Sequence, residues 1–139
     1  MKRRVLLFLA TMAVVAAATA IYWSPSQTVQ KEKGILEGQV TIGPICPVER
    51  PDMPCKPSPE TYAARKILVF KQGSKVAAVD IDSDGSYSIE LEVGTYTIDI
   101  NKTGIDRSPE LPKQIEIKAG QTTKLNISID TGIRTGYSK

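Results

Sequence analysis

Residues 79–100 read VDIDSDGSYSIELEVGTYTIDI, and this stretch decides the fold. Two strict alternations lie within it. Tyr87, Ile89 and Leu91 fall on one face, with Ser86, Ser88, Glu90 and Glu92 on the other. Tyr96, Ile98 and Ile100 then alternate with Thr95, Thr97 and Asp99. A period of two over such lengths marks half-buried antiparallel strands, one face to the core and one to water. Asp84 and Gly85 bring turn chemistry to the start of the first strand, and Gly94 permits a tight reversal between the two. The spacing predicts a central hairpin with the remaining segments packed on it as further strands.

Upstream, Leu36, Val40 and Ile42 share one strand face with Gly38 between them, and Gly43 and Pro44 end that strand. Ile67, Leu68, Val69 and Phe70 form a continuous apolar run, too short for a helix and rich in β-formers, which predicts a buried strand. Gln72, Gly73 and Ser74 turn the chain into a strand over residues 75–81, with Ala77, Val79 and Ile81 on one face. Downstream, residues 102–112 hold Gly104, Pro109 and Pro112 and read as an irregular connection. Ile115 and Ile117 mark a short strand, and Leu125, Ile127 and Ile129 a last one. Residues 131–139 carry two glycines and read as a flexible tail. No helical periodicity shows outside the N-terminal leader. About seven strands with regular turn signals predict an all-β, antiparallel Greek-key β-sandwich of immunoglobulin size over residues 34–130.

Lys2, Arg3 and Arg4 precede an apolar run over residues 5–23. A basic start followed by an apolar segment is the pattern of an export leader, expected to be helical. Ala18, Thr19 and Ala20 fit a small-residue cleavage site that would leave Ile21 as the new N-terminus. The run also approaches the ~20 residues that span a bilayer, with Tyr22 and Trp23 placed for the outer interface. A signal peptide over residues 1–23 and an uncleaved anchor therefore both stand. Either one exports the remainder: to a secreted or periplasmic site if cut after Ala20, otherwise to the outside of a single span. Residues 24–33 are polar, contain Pro25, and read as a linker.

The chain has 139 residues and a formal charge of +3, which suits one domain. The leader bases account for that excess. Without residues 1–20, fifteen bases face fifteen acids, so the electrostatic case for a nucleic-acid partner falls away. Histidine is absent, which excludes imidazole general-base catalysis and handicaps zinc sites. The membrane is a partner only through residues 5–23, if they are retained.

Six prolines fall at positions 44, 47, 51, 54, 57 and 59, and Cys46 and Cys55 enclose the middle of this stretch. Proline at that density blocks helix and central strand alike, so the segment is a loop. The two cysteines of an exported chain are expected to pair. The loop then reads either as a strap that stiffens a long connection or as a rigid surface for a partner.

These residues resemble the carboxypeptidase regulatory-like domain, a transthyretin-like (prealbumin-like) sandwich. The resemblance rests on a glycine-flanked first strand, residues 34–40, GILEGQV, and on the hairpin motifs DGSY at 84–87 and LEVGTY at 91–96. Where that family often has proline before the second glycine, this chain has Val93. Residues 40–49, VTIGPICPVE, also look like a subgroup of uncharacterised exported bacterial proteins. The resemblance implies a sandwich and no activity. Enzymes of the wider transthyretin-like group use histidines that this chain lacks.

Several local patterns bear on a site. Asp80, Asp82 and Asp84 with Gly85 match the opening of an EF-hand calcium loop. The twelfth position is Leu91 rather than glutamate, and flanking helices are missing, so a solvated turn is the preferred reading. Asn126, which a Lys–Asn isopeptide bond would need, falls on the polar face of the last strand, and no lysine lies inside the first. Arg50 would suit a trypsin-like specificity pocket, but Pro51 would follow the scissile bond. Carbohydrate binding is disfavoured, since Trp23 lies at the leader and Tyr87 and Tyr96 point inward. Asn101 and Asn126 each begin an Asn-x-Ser/Thr triplet. The expectation is a non-catalytic extracytoplasmic module with a structural or protein-binding role at the cell envelope. Its expected partner is an envelope protein, and it needs no cofactor. The alternative is a ligand-binding or protease-inhibitor-like module that uses the 46–55 loop.

Overall fold

The computed structural model describes residues 29–48 and 52–134. The leader helix, Arg50 and Pro51, and residues 135–139 lie outside the described residues. Among those described, no helix is long and apolar enough to cross a membrane.

The chain forms an all-β sandwich of two four-stranded sheets. One sheet is built on β1 (Lys33–Gly43). It pairs antiparallel with β4 (Ser86–Glu92) and parallel with both β7 (Thr122–Lys124) and β8 (Ile127–Asp130). The other sheet has the order β3-β2-β5-β6, from β2 (Lys66–Lys71), β3 (Ser74–Asp80), β5 (Gly94–Ile100) and β6 (Lys113–Ile117), all antiparallel. The inward sets read from the alternation meet between the sheets: Leu36, Val40 and Ile42 face Tyr96, Ile98 and Ile100, with Tyr87, Ile117, Ile127 and Ile129 filling the rest. Stripping these side chains of water is the main source of stability.

The expected central hairpin does not form. β4 and β5 lie in opposite sheets and pair with different partners. The reason is length. Only Val93 separates Glu92 from Gly94, and a hairpin needs a loop of about two residues or more. The chain instead turns a corner at Gly94, whose φ of 150° resists a side chain, and continues into the second sheet. The Tyr96 hydroxyl donates to the Glu92 carbonyl at 2.9 Å and ties the two arms of the corner together.

The 67–70 run is also corrected. Ile67 and Val69 are fully buried, but Leu68 and Phe70 point to the outer face and are only half-buried. The strand is covered on one side only among the described residues.

A short helix, α1 (Pro59–Ala63), departs from the expectation that no helix follows the leader. Ser58 caps it: its hydroxyl accepts from the Thr61 N–H, and Thr61 Oγ1 accepts from the Ser58 N–H. Pro59 stands in the first turn, where its missing N–H costs nothing. Tyr62 buries its ring in the core and roots the helix there.

Backbone approach explains the glycine of the first strand. A Cβ on Gly38 would lie 1.9 Å from the Leu125 carbonyl oxygen. Here β7 gives way to β8, and the Leu125 N–H donates to the Glu37 carbonyl at 2.9 Å. Asn126 completes the ladder across the gap, its Oδ1 accepting from the Gln39 N–H at 3.0 Å.

Candidate functional site

The proline-rich strap leaves the sandwich at Pro44 and returns through α1. Its root is held by the fold. Ile45 packs against the core, and the Thr131 hydroxyl donates to the Pro44 carbonyl. The Thr131 N–H donates to the Gly43 carbonyl at 3.2 Å, so the chain past β8 is engaged at Thr131. Cys46 and Cys55 form a disulfide with their Cα atoms 6.0 Å apart. Beyond that bond the strap projects apolar groups into water: Val48 is 66% exposed and Met53 70%. Arg50 and Pro51, the pair on which an inhibitor reading depends, lie outside the described residues.

The base of α1 carries a feature that no sequence pattern indicated. Arg65 and Asp106 are both buried. Arg65 Nε donates to Asp106 Oδ2 at 2.7 Å and Nη2 to Oδ1 at 3.0 Å, while Nη1 reaches the Thr61 carbonyl at 2.8 Å. One guanidinium thus joins α1 to the 101–112 connection. Beside that connection a groove of about 600 Å³ opens, lined among others by Asp99, Ile100, Lys102, Arg107, Leu111 and Asp130. Its acids are engaged: Asp130 Oδ1 accepts from the Gly132 N–H at 2.8 Å, and Asp99 Oδ1 from the Ile100 N–H at 2.8 Å.

The three aspartates of the calcium-like stretch do not converge. Asp80 ends β3 and meets the Lys66 ammonium at 2.6 Å. Asp84 turns back on the chain, its Oδ1 accepting from the Ser86 N–H at 2.9 Å and the Ser86 hydroxyl at 2.6 Å. Those bonds from Ser86 hold the Asp84 carboxyl below the usual carboxylate range. Asp82 reaches the same hydroxyl at 3.4 Å. Gly85, with φ of 85°, closes the turn under the Val40 carbonyl. Among the described residues no three of His, Cys, Asp and Glu come together as a metal site.

Tyr87 and Tyr96 are buried as the alternation predicts. The Tyr87 hydroxyl donates to the Leu125 carbonyl at 2.6 Å, and burial pushes its pKa up to about 12. Asn126 is committed to β1, and Asn101 Oδ1 accepts from the Lys66 N–H, so both triplet asparagines serve the backbone.

No protein-family model matches the chain, and no curated protein is similar to it in sequence. Solved structures are similar in fold. The Bacillus anthracis TIE protein matches with a TM-score of 0.50 and 17% identity over 71% of this chain and 16% of its own. GBS52, the minor pilin of Streptococcus agalactiae, matches at 0.48 and 15% identity, over 78% of this chain and 47% of its own. A DUF3823 family protein from Parabacteroides merdae matches at 0.46 and 16%, over 72% and 47%. The chain spans less than half the length of each. At 17% identity the likeness to the TIE protein is one of fold alone.

Proposed function

We propose that the chain is a non-catalytic β-sandwich module of the carboxypeptidase regulatory-like kind, held outside the cytoplasm at the cell envelope, with a structural or protein-binding role. The observation that carries this reading is the Cys46–Cys55 bond. A disulfide in a small domain belongs to an oxidising compartment, and the basic, apolar leader supplies the route there. The buried polar groups serve the fold: Arg65 is spent on Asp106, and Tyr87 on Leu125.

The test is made on protein from its native host. Surface protease added to intact cells or spheroplasts should reach the domain. Peptide mapping without reductant should find residues 46 and 55 linked, and intact mass should show a start at Ile21 or a retained leader in the membrane fraction. Protein with two free thiols, protected in the cytoplasm, would defeat the reading.

The exposed Val48 and Met53 favour one refinement, in which the strap tip is the surface that meets an envelope partner. Envelope proteins recovered with the intact domain should be lost when the 46–55 loop is replaced by a Gly-Ser linker. Unchanged recovery would assign the contact to a sheet face or edge instead.

A further inference from the structure

The edges of the two sheets are not equally protected. Unpaired strand edges invite another strand, and proteins shield them with charge, proline or a covering segment. β6 is covered by β7, where the Thr123 hydroxyl donates to the Glu116 carbonyl at 3.3 Å. β4 carries Glu90 and Glu92, held by Lys33 and Lys31 at 2.6 and 3.0 Å. β3 has a bulge at Val76 but neither charge nor a covering segment along its middle. It pairs with β2 on one side, and among the described residues its other side is unpaired. The central residues are Val76, Ala77, Ala78 and Val79, without proline or charge, and Val76 is 51% exposed.

The outer face beside this edge is apolar. β2 has the continuous apolar run of a strand buried on both faces, yet only Ile67 and Val69 are buried. Leu68 lies opposite Ala78 and Phe70 opposite Lys75, with Val76 the extra residue of the bulge between them. Leu68, Phe70, Val76 and Ala78 therefore make an uncovered stripe that ends at the open edge.

The charges of β3 say what fits there. Lys75 stands near one end and Asp80 at the other, both on the outer face, and Lys75 has no acidic partner among the described residues. A second copy running antiparallel about Ala78 sets Lys75 of each copy within one register position of Asp80 of the other. The two-fold axis makes that match twice. A parallel copy would set like charges side by side. Ala77 and Ala78 at the centre leave the approach unobstructed.

We propose that β3 is a self-association edge. Two copies join there, antiparallel, into one continuous sheet, with the Leu68, Phe70, Val76 and Ala78 stripes continuing across the seam. In the full-length exported protein, sedimentation equilibrium should show a reversible dimer. Lys75→Asp should weaken it by about tenfold or more, with the melting temperature unchanged at concentrations where both proteins are monomeric. Ala78→Cys, mildly oxidised, should give a covalent dimer that peptide mapping links at position 78 of both copies. A monomer at every concentration up to about 1 mM overturns the proposal. So does a dimer indifferent to Lys75→Asp, or one that Ala78→Cys cannot trap.

Discussion

Arg65 and Asp106 lie 41 positions apart in sequence and form a buried, two-pronged ion pair, with Nε–Oδ2 at 2.7 Å and Nη2–Oδ1 at 3.0 Å. Their side chains are 9% and 2% exposed. Burial makes the pair expensive to assemble and more expensive to break. Removing one partner strands a charge away from water, whereas removing both removes the desolvation cost with the attraction. Asp106→Ala should therefore cost about 3–5 kcal/mol of unfolding free energy. Arg65→Met combined with Asp106→Leu should cost far less. Urea denaturation of the two variants checks the difference. Equal losses would show that the pair acts by shape rather than by charge.

Gly38 and Gly43 stand on the same strand and should answer substitution differently. A Cβ at Gly38 would meet the Leu125 carbonyl oxygen at 1.9 Å and its carbon at 2.7 Å, while at Gly43 it meets nothing within 4 Å. Backbone cannot swing aside as a side chain does. Gly38→Ala should cost at least the roughly 1–3 kcal/mol of overpacking, and Gly43→Ala should lie near zero. Melting temperatures of the pair decide it, and similar values would contradict the close approach of β1 to the β7–β8 gap.

These two features also show where sequence stops being informative. The faces of β1, β4 and β5 were legible because an alternation of period two needs only local sequence: Leu36, Val40 and Ile42, then Tyr96, Ile98 and Ile100, all face the core. Partner choice is not local. Nothing in the alternation of Tyr87, Ile89 and Leu91 says that this strand pairs with β1 rather than with its neighbour. The clue was the lone Val93, too little chain for a hairpin. α1 is too short for a helical period, although Ser58, Pro59 and Thr61 carried its capping signature. Arg65 and Asp106 had no local signal at all, since a single arginine and a loop aspartate ordinarily face water.

Tyr87 links the core to alkaline stability. Its hydroxyl donates to the Leu125 carbonyl at 2.6 Å, and burial raises its pKa to about 12, against the ~10 of the unfolded chain. Between those values the native state holds a proton that the unfolded state has lost. The stabilisation is complete below pH ~10 and falls as pH rises towards 12, by about 1.4 kcal/mol per unit. Tyr87→Phe should cost about 1–3 kcal/mol at neutral pH by leaving the Leu125 carbonyl without its donor, and should lose less than wild type on going from pH 8 to pH 11. Urea midpoints at the two pH values test this. A parallel loss in both proteins would remove Tyr87 from the account.

The disulfide should be a local fastening rather than a condition of folding. Cys46 and Cys55 are each other's sole intramolecular partner, and the loop they close is short. Chain-entropy reasoning gives such a loop roughly 2–3 kcal/mol. The prolines at 47, 51 and 54 already restrict the reduced chain, so part of that entropy is missing from the unfolded state and the contribution should fall at or below the estimate. Among the described residues the core side chains come from the strands, from Leu125, Ile81 and the partly buried Leu111, and from Tyr62 of α1, with only Ile45 reaching in from the strap. A Cys46→Ser/Cys55→Ser variant should keep the sandwich, melt lower, and be cut faster by protease between residues 44 and 59. Circular dichroism, thermal melting and timed proteolysis with mapped cut sites cover the three expectations. A double variant that never folds would show that the strap is part of what defines the sandwich. One as resistant to protease as wild type would show that Ile45, Tyr62 and the Thr131 contact to Pro44 already hold the strap without the bond.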